Sequence, residues 1–124
     1  MVILDTNAVL RLCLGDIPEQ RDKVKNLITT ENVFVPPEVF AEAVFVMSSV
    51  YQTPRAEIAS ALAGFLDFPT ITTHYPSVVY EGLRAFSETK LEFIDCLMAG
   101  YQKAGYAVFS FDKKLNHYLQ HQSD

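Results

Sequence analysis

Val2-Ile3-Leu4-Asp5-Thr6-Asn7 opens the chain with three apolar residues and then three polar ones. The first three read as a short strand apolar on both faces, and Asp, Thr and Asn are all good helix N-cap residues. A strand that runs straight into a helix start is the first half of a β-α unit. Three more short apolar or β-prone runs follow: Val33-Phe34-Val35, Thr70-Ile71-Thr72 and Ala107-Val108-Phe109. Strands apolar on both faces fit a parallel sheet covered by helices. Between them lie helical stretches, with Pro18, Pro37, Pro54 and Pro76 each in the opening turn and Thr53 as the N-cap before Pro54. Glu92 to Ala104 reads as a further helix that Gly105 ends. The order β-α-α-β-α-α-β-α-α-β-α predicts an α/β fold of three layers, α/β/α, with helices as crossovers.

The 124 residues suit one domain, taken as 1–124, and a chain of this size buries roughly two thirds of its unfolded surface without disulfides or a structural metal. Apolar residues make up 49% and charged ones 20%, a profile that suits a packed core and excludes a disordered acidic tail. A net charge of -5 is not the profile of a protein that holds nucleic acid by bulk electrostatics, yet carboxylates clustered around cations would give the same count. Cys13 and Cys96 form no C-x-x-C, so a reduced cytoplasm is the plainer compartment. The N-terminus has no signal-peptide pattern, and the most apolar stretch, Val39 to Met47, is too short to span a membrane.

Four carboxylates interrupt apolar sequence. Asp5 follows the first strand, and Asp112 follows the last. Glu42 is the only polar residue of the nine from Val39 to Met47, and Asp95 stands alone between Phe93 and Ala99. Buried without a partner, each would cost several kcal/mol. The plain accounts are N-caps for Asp5 and Asp112, the edge of an amphipathic helix for Glu42 with Glu38 one turn back, and a first-turn dipole partner for Asp95. A shared account is a site for Mg²⁺ or Mn²⁺, which prefer carboxylate oxygens. No soft-ligand set competes: His117 and His121 have helical spacing but lack a third ligand and read as a solvated face.

These residues resemble the four acidic motifs of the PIN domain, and their order and spacing resemble the small VapC-type toxins of prokaryotic toxin–antitoxin pairs. Asp5-Thr6-Asn7, Glu42 within its apolar helix, Ile94-Asp95 and Ser110-Phe111-Asp112 carry the resemblance. It implies a parallel sheet of four or five strands in the order 3-2-1-4-5, although Leu115 to Asp124 shows no convincing fifth strand. It also implies an Mg²⁺- or Mn²⁺-dependent endoribonuclease that hydrolyses RNA phosphodiester bonds with metal-activated water. Asp5, Glu42, Asp95 and Asp112 would hold the metal, supported by Thr6, Asn7 and Ser110. A cognate antitoxin partner, a homodimer and a cytoplasmic setting are part of the same implication.

Arg11, Lys113 and Lys114 are further candidates for phosphate contact. Two other classes compete. An aspartate-dependent phosphatase also begins with Asp after an apolar strand, but it wants a second Asp where this chain has Asn7. A non-catalytic PIN-like interaction module would have no need to keep four acids in apolar surroundings.

Overall fold

The computed structural model describes residues 1–122; Ser123 and Asp124, which close the expected 1–124 domain, lie outside them. In chain order the elements are β1 (Val2–Ile3), α1 (Thr6–Leu14), α2 (Pro18–Thr30), β2 (Val33–Phe34), α3 (Pro37–Ser49), α4 (Arg55–Leu66), β3 (Ile71–Thr72), α5 (Pro76–Glu88), α6 (Phe93–Lys103) and α7 (Lys113–Gln122).

The strands are parallel and ordered β1-β2-β3, with Val2 opposite Val33 and Val33 opposite Ile71. Hydrogen bonds extend past each two-residue strand, from Leu4 N to Phe34 O (3.2 Å) and from Val35 N to Thr72 O (2.9 Å). Leu4, Val33, Val35 and Ile71 are buried together with apolar side chains from every helix. This is the α/β arrangement expected, with helices dominant.

Three strands form among the described residues, where four or five were expected. The run Ala107 to Phe109 does not join the sheet. Its chain leaves α6 through Gly105 at φ 108 and has strand-like alternation, with Val108 and Ser110 half-buried and Phe109 and Phe111 exposed. The physical reason lies at its two ends. Tyr106 N bonds back to Tyr101 O, and Ser110 is drawn into the turn that starts α7, so no ladder to β1 is made. Phe109 and Phe111 pack on each other instead, with ring centroids 5.3 Å apart. The order 3-2-1 is therefore present, and its continuation to a fourth and fifth strand is not.

Proline behaves as expected at three helices, with Pro18, Pro37 and Pro76 in the first turn. At α4 the N-cap is Pro54, not Thr53, because the helix begins one residue later at Arg55. That shift places the Arg55 side chain where it donates to the carbonyls of Phe86 (2.9 Å) and Leu91, with its guanidinium 3.6 Å from the Phe86 ring centre. It ties the start of α4 to the end of α5 and to the loop before α6.

α5 and α6 pack closely through glycine. A Cβ at Gly100 would lie 2.6 Å from the Val78 carbonyl oxygen, and one at Gly82 would lie 2.8 Å from the Leu97 side chain. A clamp beside this contact adds to it, where Glu81 of α5 accepts from Arg84 and from Lys103 of α6 (3.0 Å). Burial alone would raise the Glu81 carboxyl, but these two cations hold it below its usual range.

Gly100→Ala is therefore expected to lower stability by about 1–3 kcal/mol, because backbone and not a flexible tip stands in the way. Gly64→Ala, where a Cβ meets nothing within 4 Å on α4, should instead raise it by about 0.5–1 kcal/mol. Urea unfolding midpoints of the two variants check both signs.

Candidate functional site

The expected acids fall at helix starts and on one helix side. Asp5 directly follows the sheet and caps α1, its Oδ1 accepting from Ala8 N at 2.9 Å. Asp112 does the same for α7, accepting from Leu115 N at 2.8 Å. In both, one carboxylate oxygen is committed to the helix and the other carries no hydrogen bond among the described residues. The plain N-cap account thus holds for both, and each still has an oxygen to offer. Ser110 fixes the second turn: its Oγ accepts from Asp112 N (3.0 Å), and its carbonyl accepts from Asn116 Nδ2 (2.7 Å).

Asp95 lies half-buried in the first turn of α6. Burial pushes its carboxyl above the usual aspartate range, and the charges of Asp112 and Glu92 push the same way. Asp112 and Glu92 are thus both within electrostatic reach of Asp95. Glu92 went unread in the sequence, although its i, i+3 spacing to Asp95 was available as a signal.

Glu42 is exposed on α3, and Asp5 is exposed at the end of β1; neither bonds to the other acids among the described residues. The desolvation argument from apolar flanks therefore does not apply to Asp5, Glu42 or Asp112, since all three reach solvent. Apolar neighbours in sequence point into the core on a helix while the acid between them points out. Glu38, one turn before Glu42, lines a cavity between α3 and α6. Thr6 is half-buried and Asn7 exposed in the first turn of α1.

The donor set is carboxylate oxygen throughout, the chemistry that suits Mg²⁺ or Mn²⁺. A cation would also offset the burial, and the charges of Asp112 and Glu92, that raise Asp95. Among the described residues, no group of three or more His, Cys, Asp or Glu is gathered closely enough to hold an ion. The donors fit such an ion in kind and are spread wider than a closed cage.

Of the basic candidates, Arg11 is corrected. It is buried (8% exposed), bonded to Asp16 (2.9 Å) and the Tyr51 hydroxyl (3.1 Å), and braces α1 instead of facing a ligand. Lys113 and Lys114 are exposed at the start of α7. Lys114, Lys90, His117 and His121 surround a cavity of 350 Å³ beside the α5–α6 loop. The two histidine rings lie 4.1 Å apart, and His121 Nδ1 is 2.8 Å from the His117 carbonyl. Both cysteines are free, and burial pushes their thiols up to about 11, so neither is a nucleophile at neutral pH.

One parallel strand, β1, runs into an acid-capped helix, and further acids stand on α3, on α6 and at the start of α7 of this α/β protein. The PIN domain model matches residues 2–118, and the chain belongs to the PIN domain family. PIN domains are typically metal-dependent nucleases, and membership points to RNA binding. No curated protein and no solved structure matches the chain. No helix among the described residues is long and apolar enough to cross a membrane.

The Asp95 environment gives a stability prediction. A carboxyl raised in the fold costs stability once ionised, at pH above its unfolded value, and that cost fades as pH falls through the folded value. Asp95→Asn should therefore raise the metal-free melting temperature at pH 7 by about 1–3 °C, a small effect because the group is partly solvated. The gain should shrink toward pH 4. Adding Mn²⁺ should raise the wild-type melting temperature more than that of Asp95→Asn. Calorimetry across pH, with and without the ion, reads all three.

Proposed function

We propose that this chain is a metal-dependent endoribonuclease, the toxin component of a toxin–antitoxin pair, with Asp5, Glu42, Asp95 and Asp112 as its metal-holding residues. The observation that carries the reading is Asp95, half-buried with Asp112 and Glu92 bearing on it, in a chain of PIN membership. A carboxylate group kept in mutual repulsion lowers stability, and a bound cation gives a reason for keeping it.

When bound, Mg²⁺ or Mn²⁺ supplies a Lewis acid that eases water deprotonation and offsets charge on the phosphoryl group. The chain's own part is placement. Asp5 would be a direct ligand through the oxygen not used in capping, and Asp95 through its carboxylate in the first turn of α6, with Glu42 and Asp112 completing the set. Ser110 holds Asp112 by its turn, Ala8 N holds Asp5, and Thr6 and Asn7 would support Asp5 from the first turn of α1. No residue here needs to act as a covalent nucleophile.

Substrate grip falls to Lys90 and Lys114. Lys114 is two residues beyond Asp112, and Lys90 precedes Glu92 by two, so both lysines stand close to acids along the chain and share one cavity. Phe45, Val50 and Ile94 are exposed on and beside α3 and α6, which supports a homodimer and an antitoxin segment as the partners that cover them. The setting proposed is the cytoplasm.

Purified protein with a mixed RNA pool should cut in Mn²⁺ or Mg²⁺ and not in EDTA. Asp5→Asn and Asp95→Asn should each lower the rate by about 10²-fold or more. Cutting that survives both substitutions would sink the site, and folded but inert wild type would favour a non-catalytic module. The double variant Lys90→Gln, Lys114→Gln should flatten the salt dependence of RNA binding by about one unit of slope.

A further inference from the structure

Aromatic rings run unbroken across the crevice end of the sheet. Phe34, the last residue of β2, meets His74 edge-on at 4.8 Å, and His74 meets Tyr75 at 6.1 Å. Tyr75 then meets Tyr101 of α6 at 6.1 Å, and Tyr101 meets Tyr106 at 5.7 Å. The Tyr75–Tyr101 pair forms a wall between two cavities, of 430 and 420 Å³. Met98 lines both, and it sits one turn along α6 from Asp95.

Tyr75 is in an unfavourable place for its own residue type. It occupies the N-cap of α5 at φ 52 and ψ 62, left-handed backbone, with no side-chain cap bond. A cap position favours Asn, Asp or Ser, and left-handed backbone favours Gly or Asn, so tyrosine is the wrong choice on both counts. Packing does not account for it, because the residue is 58% exposed. Strain held at an exposed ring beside an acidic crevice is the kind that marks a binding group.

We infer that the Tyr75–Tyr101 wall and its two cavities are slots for nucleobases of single-stranded RNA, set beside the phosphate to be cut at Asp95. The inference rests on the ribonuclease reading and adds how that substrate is gripped. Aromatic faces take any base, so the slots bind unpaired RNA with little preference for sequence and exclude duplex, whose bases are already stacked. The charge of the crevice supports this division of labour. Glu38 borders one slot and neither slot is lined by Lys or Arg among the described residues, so grip there comes from stacking and not from cations.

The test is equilibrium binding in EDTA, where no cutting occurs, of a short labelled single-stranded RNA and of the same strand with abasic residues. Wild type should prefer the intact strand by about tenfold or more. Tyr75→Gly relieves the left-handed strain, so its melting temperature should not fall, while the preference for bases is lost. Its salt dependence should be unchanged, since no phosphate contact is removed. Tyr75→Phe should keep the preference within about twofold.

Equal wild-type binding of intact and abasic strands, or no RNA binding at all, overturns the slots. So does a Tyr75→Gly protein that keeps its preference but loses self-association by light scattering, which would make the wall a protein-docking face. A parallel assay in Mn²⁺ separates the two readings. RNA that is cut but bound without regard to its bases sinks the slots alone, and base-dependent binding without cutting sinks the nuclease alone.

Discussion

The close approach of α5 and α6 sets the position of Asp95 and of the aromatic wall. Gly100 lets the Val78 backbone come within a distance no Cβ would allow, and Gly82 does the same for Leu97. α6 carries Asp95, Met98 and Tyr101 behind its N-cap Glu92, and Tyr75 is the N-cap of α5. The acids and the ring wall therefore share one rigid contact between helices. Arg55 reinforces it from α4 by holding the carbonyls of Phe86 and Leu91. Interiors packed at this density are stiff, so small shifts in the α5–α6 contact would reach Asp95 undamped.

Asp5 and Asp112 show why two accounts of one residue need not compete. Each caps a helix through one oxygen, as its position before an apolar-periodic stretch implies. The same bond fixes the carboxylate plane and leaves the second oxygen facing outward. Capping is then the means of orientation: a side chain tied to its helix start has lost the rotamers that would otherwise blur an oxygen donor site. Among the described residues, these are the helices with a side-chain cap; α2 to α6 begin without one.

What could be read ahead of the structure followed local rules. The strands at Val2, Val33 and Thr70 are apolar runs bounded by turn residues, and three prolines mark helix starts, all properties of adjacent residues. The fourth strand had the same local signature in Ala107 to Phe109, but strand formation needs a partner edge, which no local pattern specifies. The acids were legible as residues and not as surroundings, since apolar neighbours on a helix say nothing of which way the middle residue points. Arg11 shows the reverse: nothing nearby in sequence announces Tyr51, forty positions on, as its partner. Tyr75 was not legible at all, because its backbone angle is set by the join between β3 and α5.

The bare outer edge of β1 has a consequence for handling and for biology. Among the described residues its outer side pairs with no strand, Ile3 is 63% exposed, and Phe109 and Phe111, in the run that does not join the sheet, stand 87% and 90% exposed. An unprotected edge beside exposed phenylalanines is a template for aggregation, and this chain defends it only by the shortness of β1 and the charge of Asp5. Overproduction is therefore expected to drive the free protein toward inclusion bodies.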